Sequence, residues 1–583
     1  MPNILLTTVC RPFGEPGDGD SVSAELFHAQ VTRSQGVFSF RQVIRCWGLD
    51  YIGENLEAPC AVLHYPSRRE LVRELKSRTY DYVGVNFVVS TFHKLKKMVP
   101  LIRKYAPNAR IILGGYGTVL PDDLLAPYSD LVCREEGIGF MKKLLGEDQV
   151  ETIKHPYAPI PSINLYRCQF DAKVAHITGG LGCPNGCDFC CTSHFYKRKY
   201  VPFVKSGREL YDTVIQMQQK AAEAGDTLSA FIFIDEDFFL HQKRAREFLE
   251  AVREGGQPLS VMGFGSIKGL SNFTADEIAE MGFDTIWTAF EGVESGYEKL
   301  KGKPIAELYS ELQARGVNLL SSMIVGFPYQ DEPTIMKEFD RLMSLKPTLV
   351  QILIYFAFPG TPFYKQVTEE DRYLPQYKNN PDFRRYDGFS MHFKHDHFTA
   401  EGLEALQRKL YHEDYVRQGS SLVRFISTMH QGYRNLRNSD RPLLRARADK
   451  FIEYARSAAP ALVPAAWVSP TPETRAMARQ LIRDIVADTR PFGAIDRLMS
   501  AGAFAMAGWT WLSEKLNVHQ QPALLRVEYR MNPANLWATA VSRLQGGFHA
   551  NPFAALREDI FTTARLTAAR IISWFKSPET NEG

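Results

Sequence analysis

The sequence predicts an α/β protein in three parts: a doubly wound parallel sheet over residues 1–150, a partial (β/α)6 barrel over 165–395, and a mostly α-helical domain over 396–583. Three observations carry this. Short apolar, β-rich runs alternate with amphipathic stretches through the first two parts, the pattern of parallel strands joined by crossover helices. From residue 396 the alternation gives way to long helical repeats. The chain of 583 residues is also too long for one core and calls for several.

In the first part the candidate strands are Ile4-Leu5-Leu6, Cys60 to Leu63, Tyr82 to Val85, Ile111 to Leu113 and Leu131-Val132, with helical stretches at Arg68 to Arg78 and Thr91 to Tyr105. This reads as a Rossmann-like domain, and such sheets bind ligands at the carboxyl ends of their strands. Gly114 and Gly115 lie at one such end, where the missing Cβ permits close approach.

The segment Gly182-Cys183-Pro184-Asn185-Gly186-Cys187-Asp188-Phe189-Cys190 places three cysteines at C-x-x-x-C-x-x-C spacing. Three thiolates in one loop can hold three corners of a [4Fe–4S] cubane and leave one iron open for chemistry. The competing reading is a structural zinc site completed by Cys191 or His194. Nine cysteines stand at 10, 46, 60, 133, 168, 183, 187, 190 and 191, and none follows, which does not read as a disulfide framework.

Six strands are expected in the barrel: His176 to Thr178, Phe231 to Ile234, Val261 to Phe264, Thr285 to Trp287, Leu319 to Val325 and Leu349 to Phe356. The working face of a parallel barrel is its C-terminal rim. There the sequence sets Asp235-Glu236-Asp237-Phe238, Glu291-Gly292-Val293-Glu294-Ser295, Gly326-Phe327-Pro328 and Pro359-Gly360-Thr361-Pro362.

The cysteine loop and these four motifs, in this order, resemble the radical S-adenosylmethionine (SAM) superfamily, and residues 1–150 resemble the cobalamin-binding domain found before the barrel in one of its classes. The resemblance implies a TIM-like radical SAM barrel. Cys183, Cys187 and Cys190 would carry the catalytic [4Fe–4S] cluster, and Asp235, Glu236, Glu294 and Ser295 would seat S-adenosyl-L-methionine, with Gly326 beside its adenine. The cluster would cleave SAM to a 5′-deoxyadenosyl radical. With cobalamin bound along Gly114 and Gly115, the implied reaction is methylation of an unactivated carbon of a small or lipid-like substrate. Without it, the same radical would drive a cyclisation, carbon–carbon coupling or rearrangement. The chain departs from the pattern at Leu181, where relatives carry arginine, at Tyr116, where many carry histidine, and in lacking Asp-x-His-x-x-Gly after the first strand.

Rival readings are a tRNA methylthiotransferase, with Cys10, Cys46 and Cys60 as a second trio, and a non-enzymatic metal or electron-transfer protein. The net charge of +3 gives no reason to expect nucleic acid. An electron donor such as flavodoxin or ferredoxin is the expected partner. The opening Met1 to Val9 reads as a strand and not a leader, and the expected location is cytoplasmic, with peripheral membrane contact as the alternative.

In the last part, helices are expected at Glu401 to Arg417, Ser421 to Leu436, Leu443 to Ala458, Thr474 to Ala487 and Ala555 to Trp574. The nearly uncharged run Leu498 to Ser513 is too short to span a bilayer and reads as either a buried core helix or a membrane-surface element.

Overall fold

A computed structural model describes residues 1–14, 24–168, 172–292, 294–378, 383–516, 518 and 521–531. Strands β1 (Ile4–Thr8), β2 (Cys60–His64), β3 (Tyr82–Asn86), β4 (Arg110–Gly114) and β5 (Leu131–Val132) form a parallel sheet in the order β2-β1-β3-β4-β5. The two-residue period of a strand sends neighbouring apolar side chains to opposite faces. Leu5 packs with Leu71 and Leu95 of the helices Arg68–Ser77 and Phe92–Tyr105. Ile4 and Leu6 pack with Leu49 and Met141 of Trp47–Asn55 and Gly137–Leu145, two helices the sequence reading did not single out.

The second sheet holds the six expected strands in parallel, in chain order: β7 (Lys173–Thr178), β10 (Leu228–Ile234), β11 (Val261–Phe264), β12 (Phe283–Ala289), β13 (Asn318–Val325) and β14 (Leu349–Ile354). A short β6 (Ile160–Pro161) adds antiparallel beside β7, and a two-stranded ribbon of β8 (Gly180–Leu181) and β9 (Val201–Pro202) brackets the cysteine loop. The sheet curls without closing, with β14 and β6 as its edges. Helices including Gly207–Glu223, Gln242–Gly255 and Glu332–Ser344 cover its outside through Leu210, Phe248 and Phe339.

An open strand edge invites unwanted pairing, and the helix Ala400–Gln418 covers β14. Tyr411 Oη accepts the Ile352 N–H at 2.8 Å, and Gln407 Nε2 donates to the Ile352 carbonyl at 2.7 Å. The inner face is floored by Phe27 and Val31, which pack with Leu320, Leu349 and the helices Ser421–Leu436 and Pro442–Leu462.

The expected helices at 401–417, 421–436, 443–458 and 474–487 are all present, extended by a few residues at most ends. The reading at Ala555 to Trp574 lies outside the described residues. Two findings differ from expectation. Leu498 to Ser513 falls within the helix Ala494–Lys515 but is no core helix, because its large apolar side chains point outward. And β15 (Leu525–Tyr529), within the part read as helical, pairs antiparallel with β2 to become a sixth strand of the first sheet. Among the described residues, no helix is long and apolar enough to cross a membrane.

A buried ion pair seats β15: Arg526 donates twice to Glu74 of Arg68–Ser77, at 2.9 Å each, and Tyr80 donates to the same carboxylate at 2.5 Å. Removing one partner of such a pair leaves a desolvated charge, at a cost of about 3–5 kcal/mol. Glu74→Ala should therefore lower the melting temperature and release amide hydrogen-exchange protection across Leu525–Tyr529, while protection in β13 stays unchanged.

Candidate active site

The cysteine loop leaves β8 and runs into the short helix Cys191–Phe195. Gly182 and Gly186 adopt left-handed φ of 86° and 69°, and a Cβ at Gly182 would run into the Lys199 carbonyl oxygen, so glycine is required there. Ser193 Oγ accepts the Gly186 N–H at 3.0 Å and donates to the Cys183 carbonyl at 2.7 Å, closing the loop on itself. Asp188, between the second and third cysteines, reaches across the mouth. It accepts hydrogen bonds from Tyr297 at 2.6 Å and Tyr355 at 2.9 Å, beyond the ends of β12 and β14. The ring of Phe189 packs edge-on against the same two tyrosines.

Cys183, Cys187 and Cys190 are free thiols. Burial pushes Cys183 up to about 12 and Cys187 up to about 11, so both stay protonated until a metal displaces the proton. Among the described residues, no three His, Cys, Asp or Glu converge as a single metal ion requires. His194 has Nε2 engaged 3.0 Å from the Cys187 carbonyl oxygen, and Cys191 begins a helix.

The three acids after β10 separate into different roles. Asp235 is buried in an ion pair with Arg244 at 3.0 Å and accepts from Tyr200 at 2.6 Å, and Tyr200 in turn accepts from Arg244. Asp237 accepts the Ser266 N–H at 3.2 Å and fixes the next turn. Glu236 alone is open. It is exposed at the rim, and desolvation of the carboxyl with the neighbouring Asp235 raises it to about 7.

At the end of β12, Glu294 is exposed and Ser295 half-buried. Ser295 caps no helix, since the next helical turn starts at Glu298. Gly326 has φ of 86°, its N–H donates to Gln330 at 2.7 Å, and a Cβ would lie 2.5 Å from Leu403. The glycine is thus explained by the turn, with its N–H already committed.

Sequence reasoning quoted Glu291 as the head of the motif after β12 but gave it no role, and passed over Lys299. Glu291 is buried with φ of 50° and takes Lys299 Nζ at 2.6 Å; the ammonium lies 5.3 Å from the Phe189 ring centroid. Burial pulls the Lys299 ammonium down, but the Glu291 carboxylate beside it outweighs that and raises it. The available signal was position: Glu291 follows β12 as closely as Glu236 follows β10.

Asp235 Oδ2, Asp237 Oδ2, Thr288 Oγ1, Glu291 Oε2 and Ser295 Oγ are buried without a hydrogen-bond partner among the described residues. Orphaned polar atoms in a protein interior are costly. These lie at or near the ends of β10 and β12, the part of the rim where the sequence reading places SAM.

On the first sheet, Gly114 has nothing within 4 Å of where a Cβ would stand, whereas Gly115 (φ 86°) is wedged against Asn86 and Phe87. The next residue, Tyr116, packs edge-on against Phe195 of the cysteine-loop helix at 5.3 Å. Thr192 of that helix is a polar neighbour shared by Tyr116 and Glu236. The strand end at Gly114 therefore opens beside the cysteine loop. Cys10, Cys46 and Cys60 do not form a second trio. The register Ile4↔Cys60 puts Cys60 at the start of its strand and Cys10 past the far end of β1, about 20 Å away at strand rise.

No family model matches the chain. Over 386 residues, 60% of this chain and 81% of the relative, it is 22% identical to an uncharacterized methyltransferase of Pyrococcus horikoshii. Over 260 residues, 43% of this chain and 54% of the relative, it is 21% identical to the bacteriochlorophyllide d C-12(1)-methyltransferase of Chlorobaculum tepidum. Among solved structures, the cobalamin-dependent S-adenosylmethionine radical enzyme OxsB matches with a TM-score of 0.50 at 13% identity, covering 88% of this chain and 84% of that one. The radical SAM methyltransferase TsrM of Kitasatospora setae, solved with cobalamin and a [4Fe–4S] cluster, gives 0.48 at 15% identity, covering 78% and 99%. With six parallel strands behind a cysteine loop and a doubly wound sheet before them, the chain has the fold of the radical S-adenosylmethionine enzymes that carry an N-terminal cobalamin-binding-type domain.

Proposed function

We propose that this chain is a radical SAM enzyme that methylates an unactivated carbon of a small or lipid-like substrate with the help of cobalamin. The observation that carries the reading is the set of orphaned buried polar atoms at the rim of the barrel, beside three free cysteines. Cys183, Cys187 and Cys190 would hold a [4Fe–4S] cluster, and Lys299 offsets part of the negative charge that three thiolates bring. Ser295, Glu294 and Glu236 would contact SAM directly, with the backbone at Gly326 bordering its adenine. Asp235 offers only Oδ2, its other oxygen being committed to Arg244 and Tyr200. Cobalamin would lie against Gly114 and Gly115; the Asp-x-His-x-x-Gly motif is missing after β1, and His28 of that segment is buried 2.6 Å from Ser39 Oγ. When bound, the cluster supplies the electron that cleaves SAM and cobalamin carries the methyl group.

The chain's own contribution is positioning and exclusion of water. Phe264 stacks on Trp287 with centroids 5.5 Å apart. Trp287 donates to Ser322 at 2.6 Å, Ser322 to Gln351 at 2.8 Å, and Gln351 to Gln30 at 2.7 Å. This chain of donors fixes the inner wall in one arrangement. A one-electron donor of flavodoxin or ferredoxin type completes the expected system.

Anaerobic reconstitution should give about four irons and one cobalamin per chain, and dithionite with SAM should release 5′-deoxyadenosine. No 5′-deoxyadenosine overturns the radical SAM reading, and activity without cobalamin uptake overturns the methyltransferase version alone. Cys187→Ala should abolish the iron absorbance, whereas Cys191→Ala should keep it; loss of metal in the second would restore a four-ligand site. Ser295→Ala should weaken SAM binding roughly three- to tenfold, the worth of one neutral hydrogen bond, measured by equilibrium dialysis on the reconstituted protein.

A further inference from the structure

The helix Ala494–Lys515 is built inside out. Its inward face is small and polar: Asp496, Ala507, Thr510 and Ser513 are buried. Its outward face carries Ile495 (74% exposed), Leu498 (73%), Trp511 (55%) and Leu516 (60%), with Met499, Phe504, Trp509 and Leu512 also exposed. A helix packed against a globular core normally shows the reverse pattern, and a continuous exposed apolar strip marks an interaction surface.

The charges are sorted as well. Between Arg497 and Glu514 the helix has no charged residue. Both acids turn inward: Asp496 is paired with Arg456 at 2.6 Å and Arg490 at 3.0 Å, and Glu514 faces Arg41 and Arg167. The exposed charges are Arg497 near one end and Lys515 at the other, both cations. A second copy docked on this strip would set cation against cation whether the two helices ran parallel or antiparallel. An anionic surface meets both. Indole rings between cationic ends suit the boundary of headgroups and acyl chains, where the apolar part is buried and the N–H stays wet.

We propose that the outward face of Ala494–Lys515 is a docking surface for an anionic lipid bilayer, with the helix lying in the plane of the headgroups. At 22 residues it covers about 33 Å of membrane surface.

The test uses the full chain with vesicles of phosphatidylcholine alone or mixed with phosphatidylglycerol. The chain should float with the mixed vesicles, less with the neutral ones, and release as salt rises. R497E combined with K515E should lower partitioning at least about thirtyfold, since loss of two cations near an anionic surface accounts for that much before the added repulsion. W509S combined with W511S should lower it at least tenfold, on vesicles of either composition. These positions are exposed, so circular dichroism should be unchanged. Independently of any variant, hydroxyl-radical labelling of Trp509 and Trp511 in the unaltered protein should fall when the mixed vesicles are added. No flotation, or variants that partition like the parent, overturns the proposal. So does protection of both tryptophans before any lipid is present, which would assign the face to a second copy or to residues 532–583.

Discussion

The mouth of the barrel depends on one carboxylate. Asp188 sits in the middle of the cysteine loop and is held by two tyrosines from the far side of the sheet, Tyr297 and Tyr355. A loop this rich in glycine has a high conformational entropy to lose, and a half-closed sheet has no strand pairing across its gap. The same two hydrogen bonds address both problems, by fixing the loop and tying β7's side of the rim to the turns after β12 and β14. Everything placed by the loop inherits that anchor: the three thiols, the Lys299–Glu291 pair beneath Phe189, and the helix that meets Tyr116.

The fold was largely legible because its strands are short, apolar and separated by unmistakable helical stretches. The five parallel strands of the first sheet and the six parallel strands of the barrel fall where the apolar runs lie. What escaped has identifiable causes. β15 is Leu-Arg-Val-Glu-Tyr, an alternating edge strand whose partner is more than 450 residues away, and periodicity carries no information about partners. Leu498 to Ser513 read as either a core helix or a membrane-surface element, because composition does not say which face of a helix meets the protein.

The site was legible where chemistry requires a fixed spacing and obscure where it depends on the fold. The cysteine spacing stands out in any reading. The acids after β10 also stood out, but their division of labour did not, because Arg244 and Tyr200 are supplied by other segments and capture Asp235 only once the chain is folded. Lys299 was invisible for the same reason. A lysine in Glu-Lys-Leu-Lys-Gly-Lys looks like any solvated charge until Glu291, itself in a left-handed backbone conformation, draws it beneath the loop.

The pairing of β15 with β2 bears on how the chain is made. During synthesis the first sheet emerges early, yet the outer edge of β2 stays uncovered until residue 529 has left the ribosome. For most of translation an apolar strand edge is therefore exposed, the kind of surface that recruits a neighbouring chain or a chaperone. Among the described residues, the last strand thus completes the sheet begun by the first, which makes that completion a late step in folding. An isolated piece covering residues 1–150 would lack that cover.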